Sequence, residues 1–580
     1  MIKKLAKFIG GYKLPTILTP ILVALEVIME VLIPLIMADL IDKGIYAGEM
    51  NMVWKFGIEL IILALLSLTF GATNGFTAAK ASAGFAKNLR KELYYKVQDF
   101  SFSNIDKFSA ASLVTRLTTD VTNVQQSFQM LTRITVRAPL MFLISLIAAL
   151  QINVKLAMVF LVAVPFLGTA IFLIIRKTHP IMEKTFKIYD KLNNVVEENV
   201  SSIRVVKSFV LEEEETEKFK GVSNTIYNNF VTAEKIMAFM SPIMQTAIYT
   251  CIILVSWLGA RIIVNTNMTD LTTGELMTFI TYSIQILTSL LMVSMVGLML
   301  TISKASADRI VEVLDEVPDI KNPENPVKGV KDGSIEFKNV SFSYVKDKEK
   351  LCLKDIDIKI KSGETIGIIG GTGSGKSSLV NLIPRLYDVT EGEVKVGGID
   401  VREYDLETLR NEVACVLQKN VLFSGTISEN IRWGDENATD EDVERVCKLA
   451  QADDFVKAFP DGYNTHIEQG GTNVSGGQKQ RLCIARALLK KPKILILDDS
   501  TSAVDTKTDA LIRKAFKEEI PDTTKIIIAQ RINSIEDADK IIVMDGGKIN
   551  GFGTHEELLK NNAIYKEVYE SQVKGSDNNE

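Results

Sequence analysis

Six long apolar stretches dominate the first half of the 580-residue chain, and they limit its fold more than any other feature. They cover residues 14–41, 56–80, 134–152, 156–175, 236–264 and 275–302. About 20 apolar residues in a helix cross the roughly 30 Å of hydrocarbon in a bilayer. Hydrophobic residues make up 47% of the chain and charged ones 24%, so the apolar excess is concentrated in segments. A six-helix membrane domain over residues 1–310 is predicted, and a purely soluble enzyme is excluded.

The distribution of lysine and arginine predicts how these helices are oriented. The connecting segments 87–133 and 176–235 are rich in both residues, whereas the connectors 44–52, 151–155 and 265–274 carry few. Basic connectors favour the cytoplasmic side of a membrane. We therefore expect a multi-pass protein of the cell membrane with a cytoplasmic N-terminus and a cytoplasmic second half. The basic connectors also have helical patterns, so spans two to five are expected to project into the cytoplasm.

Acidic residues inside the apolar stretches carry a high free-energy cost at bilayer depth, so they are candidates for a functional role. Glu26 and Glu30 are four residues apart in the first stretch and share one helix face. They are candidates for a substrate cavity, with Gln245 and Gln285 as weaker candidates. The alternatives are hydrogen bonding between helices or a position near the lipid headgroups.

Beyond residue 303 the apolar runs shorten and a second domain is predicted. The segment KNPENPVKGVKDG combines proline, glycine and charge, so residues 311–333 are assigned as a linker and 334–572 as the second domain. Residues 335–344 and 356–369 read as strands. The polar end, residues 573–580, is predicted to be a disordered tail. The net charge of −5 argues against nucleic acid as a partner, and five scattered cysteines argue against a zinc site.

The strongest motif follows the second of these strands. The segment GGTGSGKSS places a G-x-x-x-x-G-K-[ST] pattern between a strand and a helix-like segment, as a phosphate-binding loop requires. Glycines allow backbone N–H groups and a helix N-terminus to point at phosphate oxygens. Lys376 is then expected to contact the β- and γ-phosphates and Ser377 to hold Mg²⁺. A buried strand, ILIL, delivers Asp498 to the same sheet edge, where a carboxylate can orient Mg²⁺.

The order of these features is similar to that of ATP-binding cassette (ABC) exporter half-transporters. Six spans precede GGTGSGKS, then a glutamine in VLQKNVLFSGTI, then VSGGQKQR, ILILDD and SAVD, so the resemblance covers nearly the whole chain. It implies a membrane all-α six-helix domain followed by an α/β P-loop nucleotide-binding domain. The latter would carry an antiparallel β subdomain and an α-helical signature subdomain. ATP and Mg²⁺ are the implied cofactors, and segments around 107–116 and 208–217 resemble the coupling helices of the family.

The resemblance also assigns roles to individual residues. Tyr344 resembles the aromatic residue that stacks on adenine, Gln418 the glutamine that senses Mg²⁺, and Asp505 the aspartate of the loop between the two ATP sites. The remaining ATP-binding residues are those of the phosphate loop: Gly370, Gly371, Thr372, Gly373, Ser374, Gly375, Lys376, Ser377 and Ser378. The signature that would close over ATP held by a second subunit is Ser475, Gly476, Gly477 and Gln478.

Two positions depart from the family pattern. Asp499 stands where active sites of the family have a glutamate that activates water, and Gln530 stands where they have a histidine. Aspartate is about 1.5 Å shorter, and a misplacement of 1 Å can cost about 10²-fold in rate. Glutamine cannot carry a proton or a charge. The chain is therefore expected to hold a degenerate ATP site and to lend its complete signature to a different half-transporter.

This pairing resembles the degenerate subunit of heterodimeric bacterial multidrug exporters, and it predicts ATP-driven export of amphipathic compounds. The same machinery could export a specific peptide or lipid instead. A nucleotide-sensing regulatory membrane subunit that moves no substrate is a third possibility. ATP-dependent flux with the partner distinguishes transport from regulation.

Overall fold

The computed structural model describes residues 2–500 and 502–577 of the chain. Their contacts divide it into two compact units. The first consists of Met1–Gln98 and Ala110–Glu316, and the second of Asp99–Ser109 and Val317–Glu580. The short segment 99–109 thus belongs to the second unit although it lies between two helices of the first.

The first unit is entirely helical. Its six long helical stretches are apolar enough to cross a membrane, as predicted: Lys3–Tyr46, Met50–Gln98, Ala110–Ile152, Val154–Thr185, Glu212–Thr266 and Thr273–Gly297. Helix Met50–Gln98 alone has 49 residues, so at about 1.5 Å per residue it is more than twice as long as the hydrocarbon is thick. The helices of the first unit, in chain order, are Ile2–Leu5, Ala6–Tyr12 (3-10), Lys13–Asp39, Leu40–Tyr46 (π), Met50–Gln98, Ala110–Thr115, Arg116–Asp120 (π), Val121–Ile152, Val154–Ser201, Ile203–Phe209, Glu212–Met237, Met240–Thr266 and Thr273–Asp315.

Local sequence signals set the ends of these helices. The Asn153 side chain accepts a hydrogen bond from the N–H of Leu156 at the start of one helix. Thr272 and Glu275 form a reciprocal capping box at the start of the last. Inside, one apolar core joins several helices, and Tyr282 at its centre donates its hydroxyl hydrogen to the carbonyl oxygen of Val31 at 2.8 Å. Burial of apolar side chains between helices therefore holds this unit together.

The second unit is an α/β domain with three sheets. Its strands are β1 Ile335–Phe342, β2 Leu353–Ile360, β3 Thr365–Gly370, β4 Glu391–Val396, β5 Ile399–Asp400, β6 Val413–Val416, β7 Gly425–Thr426, β8 His466–Ile467, β9 Ile494–Asp498, β10 Thr524–Ile528, β11 Lys540–Asp545 and β12 Lys548–Gly553. The antiparallel sheet has the order β2-β1-β4-β5, and β7 pairs with β8. The central sheet has the order β12-β11-β3-β10-β9-β6, with all pairs parallel except β11 with β12.

Helices surround these sheets. They are Phe102–Phe108, Lys376–Asn381, Leu406–Glu412, Ile427–Arg432, Asp440–Leu449, Asp453–Ala458, Gly462–Asn464 (3-10), Gly476–Leu489, Thr506–Glu519, Ile532–Ser534 (3-10), His555–Asn561 and Ala563–Asp577. One apolar cluster fills the space between the antiparallel and central sheets, and a second joins the central sheet to the helical layer. The predicted fold class is confirmed. The last helix covers 573–577 of the predicted tail, and residues 578–580 lie outside the described residues.

The structure differs from two expectations about element boundaries. The predicted strand 356–369 is two strands, β2 and β3, separated by a turn in which Gly363 has a φ of 84°. That backbone conformation favours glycine and interrupts the extended chain. The short helices near the predicted coupling segments are Phe102–Phe108 and Ile203–Phe209, each of which begins five residues earlier than expected. Ser101 sets the first of these starts, because its side chain and that of Asn104 form a capping box.

Candidate functional site

The phosphate loop connects β3 to helix Lys376–Asn381. Gly373 and Gly375 have φ values of 80° and 97°, which glycine adopts without steric cost. A Cβ added to Gly375 would lie 2.7 Å from Cδ2 of Leu353, so that position also needs the close approach. Gly371 and Gly373 have no neighbouring atom within 4 Å of an added Cβ. The loop is therefore packed against Leu353 at Gly375 and open to a ligand at Gly371 and Gly373, as a phosphate-binding loop requires.

Lys376 lies across this cradle. Its ammonium group donates hydrogen bonds to the carbonyl oxygens of Gly370 and Gly371, both at 2.8 Å. Burial lowers its pKa, and the nearby carboxylates Asp498 and Asp499 act in the opposite direction. Ser374 is buried, and its hydroxyl has no hydrogen-bond partner within the described residues. A cation and an unpaired buried hydroxyl in a glycine loop fit a triphosphate.

Tyr344 lies beside the loop. Its hydroxyl is 2.9 Å from the hydroxyl of Ser378, and its ring meets that of Tyr387 edge to face at 5.1 Å. Burial raises the pKa of its hydroxyl. The residue is still 44% exposed, so part of the ring is free to stack on a base. This position agrees with the adenine contact that the resemblance assigns to Tyr344.

Ser377 and Asp498 meet at the carboxyl end of β9. The Ser377 side chain lowers the pKa of the Asp498 carboxylate, which is 5% exposed. Burial raises the pKa of Asp498, and Asp499 adds to the effect. No group of three or more His, Cys, Asp or Glu side chains suited to a metal occurs among the described residues. Mg²⁺ would therefore bind here through the serine, the aspartate, phosphate oxygens and water, which suits its preference for oxygen ligands.

The raised pKa of Asp498 leads to a prediction about the stability of the nucleotide-free protein. Because its pKa is raised in the folded chain, the ionised carboxylate destabilises the nucleotide-free protein at neutral pH. We expect Asp498→Asn to raise the unfolding midpoint of the full-length chain without nucleotide by about 2 to 4 °C, or roughly 1 kcal/mol. The gain is complete above the raised pKa and disappears as the pH falls towards the usual value of 3.8. Differential scanning fluorimetry across pH measures it, and an unchanged or lower midpoint at pH 7 would contradict this account.

Asp499 is held by Gln530 and lies near Gln418. Gln530 donates a hydrogen bond from Nε2 to Oδ2 of Asp499 at 2.7 Å, and the Gln418 side chain acts on the same carboxylate. Burial raises the pKa of Asp499, and both glutamines oppose that shift. Its φ of 50° is a left-handed conformation that aspartate tolerates better than most residues. The structure thus brings together all three residues that were predicted to act in hydrolysis.

The signature residues form the N-terminus of helix Gly476–Leu489. Ser475 and Gln478 make a reciprocal capping box, with the Gln478 N–H donating to the Ser475 hydroxyl at 3.3 Å. A Cβ on Gly477 would lie 2.8 Å from the carbonyl oxygen of Ala503. Ser475 and Gly476 are exposed. This helix end is therefore ordered, packed against the loop that follows Asp499, and open on its outer side to an anion.

Gln480 is a residue that sequence reasoning missed. It is 6% exposed, accepts a hydrogen bond from the N–H of Ala503 at 3.1 Å and lies 3.5 Å from the carbonyl oxygen of Asp499. It therefore ties the signature helix to the loop between Asp499 and Asp505. Asp505 ends that loop as the cap of helix Thr506–Glu519, where it accepts the N–H of Thr508 at 2.9 Å. That hydrogen bond lowers the pKa of Asp505.

Three of the four membrane candidates meet in the first unit, around Arg137. This guanidinium lies 2.7 Å from Oε1 of Glu26 and 2.6 Å from Oε1 of Glu30. Gln285 donates to the carbonyl oxygen of Glu30 at 3.5 Å. Gln245 instead contacts the hydroxyl of Tyr249 one turn along its own helix. Arg137 was missed, although an arginine at the start of an apolar stretch could have indicated a partner for the two acids.

Two family descriptions match the chain, and curated relatives match almost all of it. Residues 16–290 match the ABC transporter transmembrane region, and residues 353–502 match the ABC transporter family. The chain is 37% identical over 570 residues to the uncharacterized ABC transporter ATP-binding protein YfiB of Bacillus subtilis, covering 98% of both chains. It is 35% identical over 546 residues to the uncharacterized ABC transporter ATP-binding protein MT1311 of Mycobacterium tuberculosis, covering 93% of both chains.

The matched regions coincide with the features described above. The transmembrane match covers all or part of the six apolar helices, and the second match contains the phosphate loop, the signature and Asp498. A domain of this second kind binds ATP and drives transport by hydrolysing it. The chain therefore belongs to the ABC transporter family and joins a transmembrane domain to an ATP-binding domain in one polypeptide, like the half-transporters of that family.

Proposed function

We propose that this chain is one subunit of an ATP-driven exporter of amphipathic compounds and that its partner is a different half-transporter. The chain would lie in the cell membrane with its N-terminus and ATP-binding domain in the cytoplasm. ATP with Mg²⁺ would bind at the loop of Lys376 and Ser377. The observation that carries the proposal is the 2.7 Å hydrogen bond between Gln530 and Asp499.

That hydrogen bond explains why the chain's own site should be slow. A general base must reach the attacking water and accept its proton. The Asp499 side chain is about 1.5 Å shorter than that of a glutamate, and its Oδ2 atom is engaged by Gln530. Gln530 can donate a hydrogen bond but cannot carry a proton. Binding of phosphate and Mg²⁺ does not depend on either residue, so the site would retain ATP and hydrolyse it slowly.

The signature helix supports the second half of the proposal. Ser475 caps the helix, Gly477 fits closely against Ala503, and Gln480 fixes the helix to the loop that follows Asp499. The signature residues match the family pattern, whereas Asp499 and Gln530 depart from it. The chain would therefore contribute its signature to ATP on the partner, where hydrolysis would occur. A homodimer would hold two slow sites.

Two other functions use the same chain differently. An exporter of a specific peptide or lipid would share the ATP site and differ only in the cavity. A regulatory subunit would bind ATP and alter a membrane partner without moving a substrate, and the slow site fits that role. The capped signature favours transport, because a regulator has no need to complete a hydrolytic site.

Flux in sealed inside-out vesicles tests the proposal. The chain and its co-expressed partner should accumulate a fluorescent amphipathic dye in the lumen when Mg-ATP is added. Vesicles in which the partner's phosphate-loop lysine is replaced serve as the control and should not accumulate it. ATP binding by the pair without ATP-dependent movement of amphipathic dyes, peptides or lipids would support the regulatory function instead.

A further inference from the structure

A polar cluster joins three helices of the transmembrane unit. It consists of Glu26, Glu30, Asn74 and Arg137, here termed the Glu–Arg–Glu cluster. Arg137 bridges the two carboxylates, donating to Glu26 at 2.7 Å and to both oxygens of Glu30 at 2.6 and 2.8 Å. Asn74 donates from Nδ2 to the other oxygen of Glu26 at 3.1 Å. Glu26 and Asn74 are 8% and 0% exposed, so the cluster is built into the helix interface.

The cluster does not balance its own charge. Two carboxylates face one guanidinium, and among the described residues Arg137 is the one cation that forms an ion pair with either of them. The net charge is therefore −1. Glu26 lies thirteen residues from each end of helix Lys13–Asp39, at the middle of an apolar span. An unbalanced charge at that depth is costly and marks a functional position by default.

Hydrogen-bond acceptors in the cluster outnumber donors, just as its negative charges outnumber its positive charge. Two carboxylates offer about eight acceptor sites, and hydrogen bonds from Arg137 and Asn74 occupy four of them. The Asn74 Oδ1 atom is buried and has no partner in the described part of the chain. Turning the amide around would leave its NH₂ group unpaired and place an oxygen against Glu26. The cluster thus lacks a donor, and a donor that also carries positive charge would correct both deficits.

Glu26 packs closely against the neighbouring helix, whereas Glu30 and Arg137 stay partly exposed. Gly71, one turn before Asn74, has no side chain and lets the Glu26 carboxylate approach, since a Cβ there would lie 3.1 Å from its Oε1 atom. The side chains of Glu30 and Arg137 retain 26% and 21% of their exposure. Val136 and Leu140, on the same helix as Arg137, are partly buried apolar residues. The cluster is therefore partly exposed at Glu30 and Arg137 and has apolar side chains nearby on the same helix.

We propose that the Glu–Arg–Glu cluster binds the head of the cargo and that this head is a single positive charge bearing N–H groups, such as a protonated amine or amidine. This inference rests on the proposed function, because it names the cargo of the same exporter. One N–H cation beside Glu30 makes the cluster neutral and donates to carboxylate acceptor sites that Arg137 and Asn74 leave open. Neutral amphiphiles lack the charge, and quaternary ammonium compounds lack the donor.

Equilibrium binding without nucleotide tests this site. The full-length chain, with any partner that co-purifies, is placed in phosphatidylcholine nanodiscs and titrated with three dansyl-labelled long-chain probes. These are a primary amine, its trimethylammonium analogue and its neutral acetamide analogue. We expect the amine to bind at least tenfold more tightly than the acetamide, with the trimethylammonium probe between them.

Variants show whether the preference comes from the cluster. Glu26→Gln and Glu30→Gln should each weaken amine binding about tenfold and leave acetamide binding unchanged. Glu59→Gln, which removes an acidic group from the second span, is the matched control and should change neither. A double variant, Glu30→Gln with Arg137→Gln, keeps the net charge of −1 and avoids an unpaired guanidinium. It should retain the amine preference even where a single variant folds poorly.

Several results would overturn the site. They are equal binding of amine and acetamide by the unchanged chain, equal binding of amine and trimethylammonium, a loss of acetamide binding that matches the loss of amine binding, or loss of the preference in the double variant. Because binding is measured without ATP, its failure is separate from failure of export. Dye flux without an amine preference would refute the site alone, and an amine preference without flux would refute the exporter alone.

Discussion

Gly477→Ala in this chain is expected to reduce ATP hydrolysis by the proposed heterodimer by about 10²- to 10³-fold. The added Cβ would lie 2.8 Å from the carbonyl oxygen of Ala503, so the end of helix Gly476–Leu489 must move away from the loop behind it. In the proposed dimer this helix end directs its N–H groups at ATP on the partner, where the transition state develops charge. Loss of one preorganised donor costs a factor of this size in other enzymes. Steady-state phosphate release by the purified pair measures it.

Lys376→Ala in the same chain is the matched comparison. It removes the cation from the phosphate loop of the slow site, so it should weaken ATP binding there and reduce turnover of the pair less than tenfold. The two variants lie in one chain and one domain, yet the proposal assigns them to different ATP molecules. Equal losses from Gly477→Ala and Lys376→Ala would contradict the asymmetric dimer.

Restoring the family residues should produce the opposite effect at the chain's own site. Asp499→Glu combined with Gln530→His is expected to raise hydrolysis there by about 10²-fold, because the carboxylate then reaches the water and the imidazole can carry charge. The measurement needs a pair in which the partner's catalytic glutamate is replaced by glutamine, so that only this site turns over. Each single variant should give a smaller gain.

The backbone gives this variant a second, independent readout. Position 499 has a φ of 50°, which glutamate tolerates less well than aspartate. The double variant should therefore unfold at a slightly lower temperature, by an amount on the order of 1 kcal/mol. Asp499→Asn is the control and should lower the residual rate of this site. A double variant no faster than the unchanged chain would show that other residues limit hydrolysis.

The fold was predictable because its main signals are strong and local. Six apolar stretches of membrane length fixed the first unit, and a strand followed by GGTGSGKSS fixed the start of the central sheet in the second. The split of residues 356–369 into two strands was not predicted, because the polar residues around Gly363 read as part of one alternating strand and not as a turn. The starts of the short helices at 102–108 and 203–209 were not predicted either, and their role as coupling helices stays a prediction. Their starts depend on capping by Ser101 and on turn geometry, which charge and hydropathy do not reveal.

The residues of the candidate site also divide into those that local motifs predict and those whose roles depend on distant parts of the chain. Motif residues such as Lys376, Ser377 and Asp498 could be predicted because their spacing along the chain indicates their chemistry. Gln480 and Asn74 were not found, because their roles depend on residues distant in sequence, Ala503 and Glu26. Glu26 and Glu30 were singled out for their charge, and the structure shows the hydrogen bonds between helices that were one of the alternatives. The cargo site stays a proposal, which rests on the one negative charge that Arg137 leaves unbalanced.

The central claim is that this chain completes an active ATP site only with a different partner. Mg-ATP hydrolysis should be measured for the chain purified alone in lipid nanodiscs and for the chain co-purified with the half-transporter encoded next to it. We predict hydrolysis at rates near background for the chain alone and brisk hydrolysis for the pair, lost when the partner's catalytic glutamate is replaced. A chain that forms a dimer by itself and hydrolyses ATP briskly would show that Asp499 and Gln530 are competent and would contradict the account.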